Sequence, residues 1–195
     1  MLELFIKYLA SKPVILDFLR RVLEANHRGE KRVIKEEFPD RLSCAVLDVG
    51  SGTGVFSPLF GLGYVGVDID ETYVQYARKK YQRVFLAADA RKLPFPDASF
   101  DAIWVNGVLH HFDDALARAA LFEMRRVLKE NGRAVIMEDV PARALISRLV
   151  RSLDLGDYIR TPEAYLSLIR EHFTVLKAYP VRTGVCDYEV FVVAG

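Results

Sequence analysis

Val46-Leu47-Asp48-Val49-Gly50-Ser51-Gly52-Thr53-Gly54 is the most informative segment of this 195-residue chain. Its first four residues form a short, valine-rich apolar run, which is typical of a buried β-strand. Three glycines at alternating positions follow, and glycine allows positive φ angles and a close approach of the backbone to a ligand. A short helix is expected next, ending near residues 61–63, with free N–H groups and a positive dipole end at its start. The segment therefore predicts a strand, a tight ligand-binding turn and a helix.

The alternation of strands and helices continues towards the C-terminus. Further strands are expected at 64–68, 84–88, 102–105 and 134–137. Helices are expected at 71–80 and 113–128, and a loop with two prolines at 93–99. Strands that alternate with helices indicate a parallel sheet covered on both faces, and right-handed crossovers bring all the strand C-termini to one edge. Ligands of such sheets bind at that edge.

The two ends of the chain add helices and a hairpin. Apolar spacing and capping residues predict helices over 2–9, from Pro13 to about Gly29, over 32–37, over 142–153 and from Thr161. Strands at 173–179 and 188–193, with Gly184 between them, predict an antiparallel hairpin. We therefore expect one α/β domain, with a mostly parallel seven-stranded sheet, an antiparallel C-terminal hairpin and a helical N-terminal cap.

The composition is that of an ordinary globular domain. Hydrophobic residues make up 51% and charged residues 27%, and the formal net charge is +1. A charge so close to zero gives no strong signal for nucleic-acid binding, which usually needs a basic face. The two cysteines, Cys44 and Cys186, form neither a zinc pattern nor a disulfide framework. No apolar run is long enough to span a bilayer, and the N-terminus is a poor signal peptide, so we expect a cytoplasmic location.

Two further acidic residues stand at predicted strand ends. Asp68 ends the second strand and Asp89 ends the third, so both are expected at the same edge as the glycine turn. An ionised carboxylate only accepts hydrogen bonds, and one at the second strand end can accept two from ribose hydroxyls. An acid at the third strand end can accept from the exocyclic amine of adenine. Each acid alone could equally be a solvated strand end or a helix cap.

Taken together, these segments resemble the motifs of class I S-adenosylmethionine-dependent methyltransferases. The matching segments are 46–54, 65–70, 88–90 with 93–101, Leu109-His110-His111-Phe112, and 123–129 with Gly132. The resemblance covers residues 44 to 137 and, by topology, the final hairpin. It implies a Rossmann-like fold and S-adenosylmethionine as cofactor. It also divides the single domain, 1–195, into a helical cap (1–43), a cofactor-binding core (44–139) and acceptor-side helices with the closing hairpin (140–195).

By their positions in these motifs, ten residues are implied to bind the cofactor. They are Asp48, Gly50, Ser51, Gly52, Gly54, Asp68, Ile69, Asp89, Ala90 and Asn106. The turn residues would line the methionine part of the cofactor, with Asp48 behind them. Asp68 would hold the ribose hydroxyls, Ile69 would pack on the adenine, and the pair at 89–90 would meet the adenine edge. Asn106 would approach the methionine amine.

Two adjacent histidines follow the fourth strand, beside the expected position of the reactive sulfur. One interpretation is structural, with one ring packed and the other bonded to a loop carbonyl. The other is that His111 contacts the acceptor or takes its proton, which makes it the candidate catalytic residue. No metal site is expected, because His110 and His111 are adjacent and Glu138 and Asp139 lack a clear partner. Tyr8, Phe18, Tyr158 and Arg160 are candidates for the acceptor pocket.

The sequence therefore predicts a methyltransferase acting on a small-molecule or lipid-like acceptor by in-line displacement, as a monomer or a homodimer. One alternative is a non-enzymatic S-adenosylmethionine-binding protein. Another is a methyltransferase of protein or RNA, although such enzymes often carry prolines after the fourth strand, where this chain has Asn106-Gly107-Val108-Leu109. A nicotinamide-dependent oxidoreductase is disfavoured, because its turn needs Gly or Ala where Val55 stands.

Overall fold

A computed structural model describes residues 12–141 and 157–195 of the chain. The helices predicted over 2–9 and 142–153, and the pocket candidate Tyr8, lie outside the described residues. Among the helices that are described, none is both long and apolar enough to cross a membrane.

Seven strands form one mixed sheet in the order β3-β2-β1-β4-β5-β7-β6. The strands are β1 (Val46–Val49), β2 (Tyr64–Asp68), β3 (Val84–Ala87), β4 (Phe100–Asn106), β5 (Leu128–Asp139), β6 (Thr174–Thr183) and β7 (Cys186–Ala194). The first five strands are parallel, and β7 lies antiparallel between β5 and β6. The predicted Rossmann-like sheet with its antiparallel C-terminal hairpin is confirmed.

Five described α-helices accompany the sheet. They are α1 (Pro13–Leu23), α2 (Arg28–Glu37), α3 (Glu71–Tyr81), α4 (Asp114–Val127) and α5 (Pro162–Ile169). Three of them begin at a side-chain cap: Asp70, Asp113 and Thr161 accept hydrogen bonds from backbone N–H groups of the first turn. Such caps satisfy donors that a helix cannot pair internally. The caps fix where each helix leaves the sheet edge.

The sheet is covered by apolar layers on both faces, because successive strand residues point to opposite sides. On one face, Leu47 and Ile103 are buried with Leu121 of α4 and Tyr165 of α5. On the other face, Trp104 lies in an aromatic cluster and is buried with residues of α2 and α3. The cluster consists of Phe38, Phe56, Phe60, Tyr64, Phe85 and Trp104. This double burial holds the strand ends in fixed register.

The segment after the glycine turn differs from the prediction. No α-helix follows Gly54; the chain makes only a three-residue 3₁₀ helix, Ser57–Leu59. The Ser57 N–H bonds to the Gly54 carbonyl three residues back, and Pro58 has no N–H with which to continue an α-helix. The predicted contribution of a helix dipole at the glycine turn was therefore wrong.

Several elements are longer than predicted. Strand β5 begins at Leu128, six residues before the strand predicted at 134–137, and runs through Asn131 and Gly132. Strand β6 continues to Thr183, which pairs with Cys186 across a tight turn at Gly184. Helix α2 begins at Arg28, four residues early, directly after three residues with positive φ. Pairing with a neighbouring strand and packing against the hairpin extend these elements beyond their local sequence signals.

Leu121 and Phe122 are adjacent in α4 but differ in burial, which gives a matched test of the packing. Leu121 is fully buried and Phe122 is 57% exposed. We expect Leu121→Ala to lower the free energy of unfolding by about 2–5 kcal/mol, because it leaves a cavity under the sheet. Phe122→Ala should cost less than about 1 kcal/mol. Urea denaturation followed by circular dichroism measures both, and equal losses would contradict the described packing.

Candidate functional site

The glycine turn lies at the C-terminal edge of the sheet and has an open side. Gly50, Gly52 and Gly54 have φ angles of +70°, +50° and +74°. A Cβ atom at Gly50 would lie 2.3 Å from Val108, and one at Gly54 would lie 2.6 Å from Phe85. At Gly52, no described atom lies within 4 Å of that position. The turn is therefore packed at its two ends and bare at its centre, where a ligand can approach the backbone.

Asp68 faces this turn from the end of β2. Its Oδ2 accepts a hydrogen bond of 2.7 Å from the N–H of Gly52, and its Oδ1 accepts one of 2.9 Å from the N–H of Asp70. Burial raises the pKa of Asp68, although these backbone hydrogen bonds oppose the shift. Because an ionised carboxylate has about four acceptor sites, Asp68 can hold the turn and still accept from a ligand.

Asp48 lies in β1, just before the turn, and is almost fully buried. The hydroxyl of Tyr64 donates a 2.6 Å hydrogen bond to its Oδ2. Burial raises the pKa of Asp48 to about 7, against the opposing effect of that hydrogen bond. Asp48 thus joins β1 to β2 behind the turn.

Asn106 ends β4 and carries the clearest sign of a missing polar partner. The residue is 7% exposed. Neither its amide nitrogen nor its amide oxygen has a hydrogen-bond partner within residues 12–141 and 157–195. An unsatisfied buried amide costs about 1–3 kcal/mol. A bound polar group would recover that cost.

The residues predicted to meet adenine differ in their surroundings. Ile69 is 72% exposed, which is high for a large apolar side chain next to a partly buried acid. Ala90 is partly buried against the core. Asp89 is held by its neighbour Arg91, whose Nε lies 2.9 Å and Nη2 2.5 Å from the carboxylate oxygens. The hydrogen bonds from Arg91 lower the pKa of Asp89.

Glu138 organises the turn that carries the two histidines. Its Oε1 accepts from the N–H groups of Val108 (2.9 Å) and Leu109 (2.8 Å). Its Oε2 lies 3.0 Å from Nδ1 of His110, which is buried. The expectation that Glu138 lacks a partner was wrong. The sequence predicted only that both strands end at the same edge of the sheet; the pairing of Asn106 with Met137 is what places Glu138 beside the histidines.

His111 differs from His110 in exposure. It faces solvent, and its ring lies 4.2 Å from the His110 ring, tilted by 43°. The structure therefore presents one histidine fixed by an acid and a second, accessible one whose tilted ring contacts it. This arrangement suits proton transfer at the outer ring and orientation by the inner one.

The candidates for the acceptor pocket separate into two kinds. The guanidinium of Arg160 donates to the carbonyls of Leu109 (3.0 Å) and Phe112 (2.6 Å) and pairs with Asp114, so it braces the histidine turn. Phe18 and Tyr158 are exposed. Phe18 and Tyr158 stay candidates for acceptor contact. The guanidinium of Arg160 is instead used in hydrogen bonds within the protein.

Asp17 of α1 is a site residue that the sequence reasoning missed. Its carboxylate accepts from the hydroxyl of Thr53 in the glycine turn, from the hydroxyl of Tyr76 and from Lys80. These partners lie 36 to 63 residues away, so no local pattern points to them. Asp17 fastens the helical cap onto the turn.

Comparison with known proteins identifies relatives of this chain. Residues 47–136 match the family model described as a methyltransferase domain. A demethylmenaquinone methyltransferase from Thermotoga maritima is 37% identical over 136 residues, covering 64% of this chain and 57% of that protein. A ubiquinone/menaquinone biosynthesis C-methyltransferase from Pseudomonas fluorescens is 35% identical over 139 residues, covering 63% of this chain and 52% of that protein. The chain thus spans little more than half the length of these curated relatives.

The fold also matches solved structures. A crystal structure of a SAM-dependent methyltransferase from Archaeoglobus fulgidus aligns with a TM-score of 0.72 at 17% identity, covering 91% of this chain and 98% of that one. At that identity the match establishes the fold alone. The match of residues 47–136 to a methyltransferase domain, together with relatives named as methyltransferases, supports the superfamily that the motifs predicted, the class I S-adenosylmethionine-dependent methyltransferases.

Proposed function

We propose that this protein binds S-adenosylmethionine at the C-terminal edge of β1, β2 and β4 and methylates a small-molecule acceptor there. The observation that carries the proposal is Asn106, whose buried amide has no partner in the described part of the chain. It ends β4, the strand paired with β1, and β1 leads into the bare backbone of Gly52. A ligand with a polar amino-acid end satisfies both features.

Three further observations support this choice of ligand. Asp68 can accept from ribose hydroxyls while it holds Gly52, because an ionised carboxylate has about four acceptor sites. The exposed Ile69 follows Asp68 directly and offers an apolar surface for a base. The hydroxyl of Ser51 is buried without a partner among the described residues, so the turn has a further donor for a ligand. The residues present therefore fit the group that the superfamily uses.

When bound, the cofactor supplies a methyl group on a positively charged sulfur, so the methyl donor is already activated for displacement. The work of the chain is to align the acceptor and to exclude water. The glycine turn, Asp68 and Asn106 orient the donor on the sheet edge. The cap, tied to the turn through Asp17 and Thr53, covers that edge.

We assign the proton chemistry to the two histidines. His111 is accessible and would take a proton from an acceptor that is protonated at working pH. His110 is a positioning residue: Glu138 fixes its ring, and that ring packs against His111. Glu138 also fixes the backbone of the turn, so the geometry does not depend on a ligand.

The acceptor is proposed to be apolar and ring-containing. The names of the relatives, demethylmenaquinone methyltransferase and ubiquinone/menaquinone biosynthesis C-methyltransferase, point to quinone-type acceptors. On α1, Val14, Phe18 and Val22 are all more than 60% exposed and follow one another at four-residue spacing, so they form an apolar stripe. That stripe lies on the cap beside the proposed cofactor site and suits contact with an apolar acceptor.

The first test removes the ribose acceptor. We expect Asp68→Ala to weaken binding of S-adenosylhomocysteine by about 1–3 kcal/mol, roughly 5- to 150-fold, through lost hydrogen bonds. Asp97→Asn, at an exposed side chain in the loop before β4, serves as the control and should leave affinity unchanged. Isothermal titration calorimetry measures both. Unchanged affinity in a folded Asp68→Ala protein would argue against the site.

The second test separates a ligand-binding role of Asn106 from a structural one. Asn106→Leu replaces an unsatisfied amide by an apolar group of similar size, so the melting temperature of the free protein should stay the same or rise. Affinity for S-adenosylhomocysteine should fall about tenfold or more. Thermal melting without the ligand gives the melting temperature of the free protein, and melting at a series of ligand concentrations gives the affinity. A marked loss of stability without the ligand would show that the amide serves the fold instead.

The third test measures transfer of the methyl group to an acceptor. With radiolabelled S-adenosylmethionine and a panel of acceptors headed by demethylmenaquinone, the wild-type protein should label an apolar product. His111→Asn should slow that transfer about 10²- to 10⁴-fold, the range for losing a general base, without changing cofactor affinity. Binding of the cofactor with no transfer to any acceptor would instead favour a non-enzymatic binding protein.

A further inference from the structure

A second polar cluster lies beneath the helical cap, outside the proposed cofactor site. Glu24 follows α1, His27 precedes α2, and Glu30 lies in the first turn of α2. Their side chains are 5%, 2% and 0% exposed. The connecting residues 25–27 all have positive φ, at 47°, 59° and 55°, in a tight left-handed turn. The turn brings the three side chains together.

The facing atoms of this cluster are all of the kinds that bind metal ions. Nδ1 of His27 lies 2.5 Å from Oε2 of Glu24 and 3.7 Å from Oε1 of Glu30. One ligand atom from each of the three residues lies within 4.8 Å of the others. The set is one imidazole nitrogen and two carboxylate oxygens.

The hydrogen bonds around the cluster are directed away from its centre. Oε1 of Glu24 accepts from Arg20 (2.8 Å) and from the hydroxyl of Tyr188 (3.3 Å). Oε2 of Glu30 lies 2.8 Å from the hydroxyl of Thr183. Oε2 of Glu24, Nδ1 of His27 and Oε1 of Glu30 are buried and face one another, and none of them has a hydrogen-bond partner outside the cluster among the described residues. Two buried carboxylates that meet around one imidazole call for a cation between them, either a proton on the imidazole or a metal ion.

We propose that Glu24, His27 and Glu30 bind a divalent transition-metal ion, with Zn²⁺ the best fit, which fastens the helical cap to the β6–β7 hairpin. Mixed nitrogen and oxygen ligation suits Zn²⁺, whereas Ca²⁺ and Mg²⁺ favour oxygen-only sites with more ligands. The sequence analysis predicted no metal site. The left-handed turn at residues 25–27, which brings the three side chains together, has no recognisable sequence pattern. The hairpin takes part through Thr183 and Tyr188, which hold the outer carboxylate oxygens.

The ion would act on the structure rather than on methyl transfer. Helix α1 carries Asp17, which holds the glycine turn through Thr53. Fixing the end of α1 at Glu24 therefore stabilises the cap above the proposed cofactor site. The proposal does not depend on the proposed function, because its readouts are metal content and thermal stability.

The test uses the full chain, without a histidine tag, stripped of metal by a chelator. We expect the stripped wild type to bind one Zn²⁺ per chain by elemental analysis after gel filtration, with a higher melting temperature. Mg²⁺ at the same concentration should not raise it. Co²⁺ should bind at the same stoichiometry and give visible d–d absorption that Zn²⁺ abolishes.

Variants locate the ion. Glu30→Gln should weaken Zn²⁺ and Co²⁺ binding by more than about tenfold, since even changes outside a ligand set cost 10- to 100-fold. Glu36→Gln, at an exposed position of the same helix, should bind as the wild type does. If Glu30→Gln does not fold, His27→Asn takes its place.

Two results would overturn the proposal. One is a stripped wild type that takes up neither Zn²⁺ nor Co²⁺ at micromolar concentration, which would leave a proton on His27 as the occupant. The other is a Glu30→Gln or His27→Asn protein that binds either ion with unchanged affinity, which would place the ion elsewhere.

Discussion

The hydrogen bond from the Gly52 N–H to the carboxylate of Asp68, 2.7 Å long, is the contact on which the proposed site depends. It joins the ends of β1 and β2, and the parallel pairing of Val49 with Val67 brings those ends to the same level. With the turn fixed, its bare centre follows β1, and Asn106 ends the neighbouring strand β4. The register of the sheet thus brings chemically different residues to one edge, where we propose that the ligand binds.

The buried polar groups near the proposed sites include both satisfied and unsatisfied ones. Glu138 makes its hydrogen bonds to the histidine turn within the described residues. Asp48 is likewise bonded to Tyr64. The amide of Asn106 is not bonded there, and the inward atoms of the Glu24, His27 and Glu30 cluster contact only one another. Since each unsatisfied group costs free energy in the free protein, both places are poised to gain from a bound partner.

Much of the fold could be predicted because its signals are local. Apolar runs, glycines and strand-end acids can each be recognised within a few residues. Parallel pairing then brings the ends of the strands to one edge of the sheet. The missing helix after Gly54 shows the limit of that reasoning, because Pro58 and the packing of Phe56 and Phe60 set the conformation there. The contacts of Asp17 with Thr53 and of Glu30 with Thr183 span 36 and 153 residues. Such contacts arise only when the cap is packed, so the sequence could not reveal them.

A crystal structure of the protein grown with S-adenosylhomocysteine examines the central claim most directly. The account predicts ribose hydroxyls within hydrogen-bond distance of Asp68, with the amino-acid end of the ligand against Gly52 and bonded to Asn106. A ligand bound at another edge of the sheet, or one that leaves the carboxylate of Asp68 and the amide of Asn106 untouched, would contradict it.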